Sequence, residues 1–275
     1  MGVNVQVAEG VLLRIVVRVA VPLTVLALAV SGCSSSDPVA TPSATSATSV
    51  PAITSGGSTS APTTVAVPTR DTLSQIATSK SNTIDVYANP NKSDFTTLQA
   101  GDVLTAPDQT PFVFLVKTVT DGWLEVWLPT RPNGSTGWIE TDDVSLADTR
   151  FWIDVDLKEF NLKVYDDEDM VFQTPIGVGQ DELPTPGGTY YLRELLQPPN
   201  PDGVYGPYAY GLSGYSPVLD SFNGGDAVIG IHGTDDPSSI GTMVSHGCIR
   251  MPNDSVTEIA TKIGLPLGTP VFIND

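Results

Sequence analysis

Ala227-Val-Ile-Gly-Ile231 is an apolar run of strand length that ends on His232-Gly233, and after an irregular Gly-, Ser-, Thr- and Asp-rich excursion the chain reads Ser245-His246-Gly247-Cys248-Ile249-Arg250. A strand that gives way to a loop at an ionisable residue is a common catalytic location, because the rigid strand positions the mobile loop. The chain has two histidines, His232 and His246, and two cysteines, Cys33 and Cys248, so three of its four such residues fall in this stretch. A thiol is a useful nucleophile only as thiolate, and a neighbouring histidine takes its proton or stabilises the anion as imidazolium. Gly247 lets the backbone approach a substrate carbonyl, and N–H groups around Gly247 and Cys248 are candidates for holding an oxyanion. Arg250 adds positive charge or binds a carboxylate. Nucleophile, base and electrophilic stabiliser together are the parts of an acyl-transfer site.

His232-Gly233, a gap, then Ser245-His246-Gly247-Cys248-Ile249-Arg250-Met251 resembles the signature of the YkuD family of L,D-transpeptidases. The resemblance runs from Phe151 to Asp275. It includes Ile153-Asp154-Val155-Asp156-Leu157, then Pro175-Ile176-Gly177-Val178-Gly179, then Pro184-Thr185-Pro186-Gly187-Gly188. It implies that Cys248 is the nucleophile and His232 the base, its ring oriented by the backbone carbonyl of Gly233. His246 and Gly247 support the site, and Ser245, Arg250 and Tyr215 are candidate substrate contacts. Some relatives carry Asn where this chain has Arg250. The implied reaction joins peptidoglycan stem peptides by 3→3 cross-links through a thioester, with no metal or organic cofactor, and carbapenem-type β-lactams are the implied inhibitors. The loop Tyr205 to Tyr215 is a candidate lid, although its tyrosines are equally readable as packing residues.

Other readings of the same residues stay open. Water in place of an amine acceptor makes the chain a carboxypeptidase or endopeptidase. A wall-binding lipoprotein without catalysis is a third reading, against which the intact His232, His246 and Cys248 argue. Zinc held by His232, His246 and Cys248 with Asp235 or Asp236 lacks the compact paired spacing of zinc sites. A sortase-like enzyme carries its histidine much further upstream, and papain-like enzymes place cysteine before histidine.

Outward from this region, Phe160, Leu162 and Val164 alternate with Asn161 and Lys163, so Asp166-Asp167-Glu168-Asp169 reads as a hairpin turn. Val256, Ile259, Ala260 and Ile263 fall at helical spacing, with Asn253 as candidate cap and Gly264 after the end. Upstream, Pro111-Phe-Val-Phe-Leu-Val-Lys117 and Gly122-Trp-Leu-Glu-Val-Trp-Leu128 are β-rich runs bounded by turn residues. Gly122-Trp123-Leu124-Glu125-Val126 and Gly137-Trp138-Ile139 resemble a bacterial SH3-like barrel, in which the tryptophans would fill a small core. The expected fold is mainly β: a YkuD-type L,D-transpeptidase β-sandwich over 151–275, preceded by a small SH3-like β-barrel over 81–147.

Residues 34–70 are nearly all Ser, Thr, Ala, Pro, Val and Gly, a flexible linker spanning roughly 35 Å. Residues 1–33 read as an export signal. Arg14 and Arg18 precede the uncharged run Val19 to Gly32, which ends in Val30-Ser31-Gly32-Cys33. As a helix that run covers about 21 Å, short of the roughly 30 Å hydrocarbon core. Its end resembles a bacterial lipobox, which makes Cys33 the candidate lipidation site and places the protein outside the cell membrane, anchored by lipid and facing the wall. A retained transmembrane helix is the alternative. The formal charge of −18, concentrated after Arg70, repels phosphate backbones and excludes nucleic acid as a partner.

Overall fold

The computed structural model describes residues 73–105 and 110–274. The expected export signal with Cys33 and the expected linker over 34–70 lie outside the described residues.

The N-terminal part is a seven-stranded sheet in which every neighbouring pair is antiparallel. Its order is Phe95–Gln99, Thr83–Tyr87, Thr136–Glu140, Trp123–Trp127, Val113–Thr120, Ser74–Ser79 and Val144–Thr149. It begins before the expected boundary at 81. Ser74-Gln-Ile-Ala-Thr-Ser79 pairs with strands on both sides, yet it carries one bulky apolar residue and so no readable alternation. The expectation that tryptophans fill this core holds only in part: Trp123 is buried and Trp127 and Trp138 are half-buried, but none belongs to the central cluster. Leu124, Val126 and Ile139 are fully buried within it, together with Phe114. Because side chains alternate across a strand, that parity sends Trp123, Trp127 and Trp138 to the opposite face. There Trp123 meets Tyr87 edge-on at 5.0 Å, and Lys117 lies over Trp127.

The C-terminal part is an eight-stranded mixed sheet. Its order is Asp169–Pro175, Asn161–Asp166, Phe151–Asp156, Pro270–Asn274, Gly188–Leu196, Ala209–Tyr215, Val228–His232 and Ile249–Arg250. The long strand Gly188–Leu196 changes partner half-way: Gly188 to Tyr191 pair with the last strand, and Leu192 to Leu196 pair with Ala209–Tyr215 across an irregularity at Leu192/Glu194. One hydrophobic core, including Val155, Leu162, Leu192, Leu212, Ile229 and Ile249, serves both halves of the sheet. The expected helix forms as Asn253–Glu258, continues as a π-helix over Ile259–Ile263, and ends on left-handed Gly264. Its N-cap is Pro252 rather than Asn253.

The lid reading of Tyr205 to Tyr215 is also corrected. Ala209–Tyr215 is a strand buried along its whole length, in which Gly211 and Gly214 make room for Glu194 and Tyr190. Only the residues before Ala209 form a loop.

Candidate active site

The site is built on the parallel pair Val228–His232 and Ile249–Arg250, in register at Ile231↔Ile249 and His232↔Arg250. Ile229 and Ile231 point into the core. By the same alternation Val228, Gly230 and His232 face the other way. A Cβ placed on Gly230 would lie 3.9 Å from His232 Cδ2 and 4.0 Å from Cys248 Sγ, so the imidazole and the thiol flank one bare stretch of backbone. The thiol lies 3.8 Å from the carbonyl oxygen of Val228, and Cys248 is a free, half-buried cysteine.

His232 is 5% exposed, and its Nδ1 is hydrogen-bonded to the carbonyl of Gly233 at 2.6 Å. A carbonyl only accepts, so Nδ1 carries the proton and Nε2 is left as the basic nitrogen. Burial pushes the imidazole down to about 4, the Gly233 carbonyl opposes this, and the positive charge of Arg250 adds to it. Burial pushes the Cys248 thiol up, against a backbone hydrogen bond at Gly230 and the attraction of Arg250. The resting pair is therefore neutral thiol beside neutral imidazole.

Two supports hold this geometry. On the histidine side, Asn253 Oδ1 accepts the Thr234 N–H at 2.8 Å, and a Cβ on Gly233 would lie 2.2 Å from that oxygen and 2.9 Å from Gly206 Cα. On the cysteine side, Thr185 Oγ1 accepts the Gly179 N–H and donates to the Gly247 carbonyl, both at 2.9 Å. Gly247 sits at φ +112°, and a Cβ there would lie 2.9 Å from Ile229 Cδ1, so no side chain fits. Asn253 and Gly206 carried no sequence signal for this role. Thr185 was visible only as part of a motif.

Several expected contacts lie elsewhere. Ser245 is 1% exposed; its hydroxyl donates to the Cys248 carbonyl and accepts the Gly247 N–H at 3.2 Å, so it clamps the turn instead of meeting substrate. That bond also engages the Gly247 N–H, one of the two groups expected to hold an oxyanion. Tyr215 is 3% exposed. Its hydroxyl donates to the Pro129 carbonyl and accepts from Arg193 Nη1 at 3.1 Å, which makes it a strut to the N-terminal sheet and not a substrate contact. His246 is exposed with its ring 5.4 Å from Phe222, while Tyr205 packs edge-on against His232 at 5.0 Å. Among the described residues no three His, Cys, Asp or Glu side chains converge, so the ligand set of the zinc reading is not assembled. Arg250 bonds Gly177 through its backbone in both directions at 2.8 Å, and its half-buried guanidinium acts on both His232 and Cys248.

Residues 150–273 match the model of the YkuD family, the L,D-transpeptidase catalytic domain. Over 121 residues the chain is 39% identical to the YkuD protein of Bacillus licheniformis, covering 44% of this chain and 64% of that one. Over 100 residues it is 41% identical to the YkuD protein of Bacillus subtilis, covering 36% and 51%. The chain thus spans between half and two thirds of the length of these relatives. The solved structure of Bdellovibrio bacteriovorus Bd1075 is 28% identical over 46% of this chain and 48% of that one, with a TM-score of 0.37. The family match begins one residue before the strand Phe151–Asp156 and ends in the strand Pro270–Asn274, so it coincides with the C-terminal sheet and encloses both Cys248 and His232. That sheet, residues 150–273, is thus similar to the L,D-transpeptidase catalytic domain of the YkuD family.

Proposed function

We propose that the protein is a peptidoglycan L,D-transpeptidase that forms 3→3 cross-links through a thioester on Cys248. In the first step Cys248 Sγ attacks the carbonyl carbon of the diamino acid's L-centre in a tetrapeptide stem, and its proton passes to His232 Nε2. The C–N bond to the terminal D-alanine breaks, and His232 returns the proton to the departing amine. In the second step an amine of another stem gives a proton to His232 and attacks the thioester, and the thiol is regenerated. The observation that carries this reading is the tautomer lock, in which the Gly233 carbonyl leaves Nε2 free on the face that Cys248 shares. Neutral thiol and neutral imidazole are the pair that a general-base attack starts from. Arg250 is positioned to favour the sulfur anion as it forms. With Gly247 N–H engaged, the oxyanion donor in this proposal is the N–H of Cys248 itself.

Muropeptides incubated with the purified protein and weighed by mass spectrometry test the proposal. Cross-linked dimers are expected, and Cys248→Ser abolishes them while leaving the fold intact, because a hydroxyl is a far weaker acid and a poorer nucleophile here. His232→Ala is more damaging than His246→Ala. Trimmed monomers alone establish a hydrolase, and no change overturns the enzymatic reading. A carbapenem is proposed to acylate Cys248, since its strained carbonyl takes the donor's place and the opened ring stays tethered. One added drug mass on the Cys248 peptide is the expected result. We also propose that the N-terminal sheet is SH3-like, and that a lipid on Cys33 holds the protein at the membrane. Cys33→Ala then leaves the membrane fraction or stalls as precursor, and unchanged partitioning refutes the anchor.

A further inference from the structure

The segment between Tyr215 and Ala227 has little of its own to hold it. Ser216 N–H bonds the Ala227 carbonyl at 2.8 Å and Ala227 N–H reaches the Asp220 carbonyl at 3.4 Å, which closes its base. Beyond that, Ser216 Oγ accepts the Val218 and Leu219 N–H groups at 3.3 and 3.0 Å, and the rest is a hairpin of two two-residue strands, Ser221–Phe222 and Gly225–Asp226, with all four residues exposed. A ladder that short does not fix its own position. Yet its tip borders the site from two sides: Phe222 packs on His246, and Asn223 Nδ2 donates to Tyr205 Oη at 3.4 Å, while the Tyr205 ring rests on His232.

What grips the base comes from the N-terminal domain. Arg131 Nη1 donates to the Ser216 carbonyl at 2.8 Å, and Nη2 donates to the carbonyls of Leu219 at 2.8 Å and Asp220 at 3.4 Å. Its guanidinium also lies 4.9 Å from the Tyr215 ring centre. The Asn133 side chain pairs with Tyr215 as a strand neighbour does, donating to its carbonyl at 2.8 Å and accepting its N–H at 2.9 Å. We infer that the Pro129–Asn133 turn positions the 216–226 segment as a wall of the Cys248–His232 site, with Arg131 and Asn133 as positioning residues. The N-terminal domain is then part of the active-site architecture, whatever else it binds. A staple serving only stability has no need to place a guanidinium on three carbonyls of one segment whose exposed tip touches the neighbours of the reacting pair. The inference rests on Cys248 and His232 being that pair.

The test uses the full chain and the variants Arg131→Ala, Arg131→Lys and Asn133→Ala. Amide hydrogen exchange over 216–226 should quicken about tenfold in Arg131→Ala, with the Val228–His232 strand unchanged. The labelling rate of Cys248 by a bulky maleimide should rise several-fold relative to iodoacetamide, as the loosened wall admits the larger reagent. With tetrapeptide stems KM should rise by about tenfold while kcat changes little. Arg131→Lys should fall between, because an ammonium keeps the charge and loses the planar fork. If Arg131→Ala does not fold, Asn133→Ala, which removes a single amide pair, carries the same readouts. Unchanged exchange and unchanged reagent selectivity overturn the inference. So does faster exchange across the whole catalytic domain, the mark of a general staple. Exchange and reagent selectivity need no turnover, so a wild-type protein inert on stem peptides sinks the proposed chemistry and still leaves the positioning role decided.

Discussion

His232 gives up basicity by being buried, and that has a consequence for stability. Its folded value of about 4 lies below the ordinary 6.5, with desolvation as the main cause. Between those values the unfolded chain binds a proton that the folded chain refuses, so stability is full above about pH 6.5 and falls as the pH drops towards 4. The size of the loss is roughly 3 kcal/mol. Denaturant titrations at pH 7 and pH 4.5 should show this loss in the wild type and a flatter profile in His232→Gln. Parallel profiles would mean that burial does not lower the His232 imidazole below its ordinary value. At this scale the sequence was legible where chemistry is scarce: a chain with two histidines, both close before one of its two cysteines, points to Cys248 and His232. It was not legible for Ser245 and Tyr215. Both residue types fit a substrate contact, and only the turn around Gly247 and the strut to Pro129 reveal that their hydroxyls are already engaged.

Elements bring His232 to its partner carbonyl through three close-packed groups: Gly206 in the loop before Ala209–Tyr215, Gly233 at the strand end, and Asn253 at the helix start. The helix itself was readable from the spacing of Val256, Ile259 and Ile263. The use of Asn253 was not, because its amide turns back to Thr234 and leaves the cap to Pro252. The buried strand Ala209–Tyr215 was mistaken for a loop for a related reason. Glycines and tyrosines suggest a flexible cover until Glu194 and Tyr190 are seen to need the space over Gly211 and Gly214. Gly233→Ala drives a methyl into Asn253 Oδ1 and Gly206, and should destabilise the fold by about 1–3 kcal/mol. Asn253→Ala should cost about 1–2 kcal/mol through the unpaired Thr234 N–H. The double variant should cost less than the sum of the two, since removing the amide relieves the nearest clash. Strict additivity in a double-mutant cycle would show that the Gly233–Asn253 contact is not what restricts the position.

Across the whole described molecule the two sheets share a small apolar contact and a buried charge network. Ile76, Val113 and Leu115 of the first sheet meet Tyr191 of the second, and Ile76 fills the space over Gly268. Beside them Glu194 and Arg193 pair at 3.1 Å, with side chains 1% and 3% exposed. Glu194 also accepts the Thr105 N–H at 2.7 Å from the N-terminal domain, and Arg193 reaches Tyr215, whose hydroxyl bonds Pro129. Neighbouring residues of opposite charge in a strand read as surface in the sequence, so this junction was invisible there. Removing one member of a buried pair is far costlier than losing an exposed one, because the other charge stays desolvated. Glu194→Ala should therefore destabilise the catalytic domain by roughly 3–5 kcal/mol. Glu194→Gln should cost less, since an amide oxygen still accepts from Thr105. The sequence supplies two separate reporters. Trp123, Trp127 and Trp138 lie in the N-terminal sheet, so tryptophan fluorescence follows mainly that domain, while thiol labelling of Cys248 follows the catalytic one. In the wild type both reporters should move at one urea concentration, because the network makes the two sheets unfold together. In Glu194→Ala the thiol should become accessible at lower urea than the fluorescence change. Coincident transitions in the variant, displaced by less than about 1 kcal/mol, would show that the apolar contact alone couples the domains and that the buried pair contributes little.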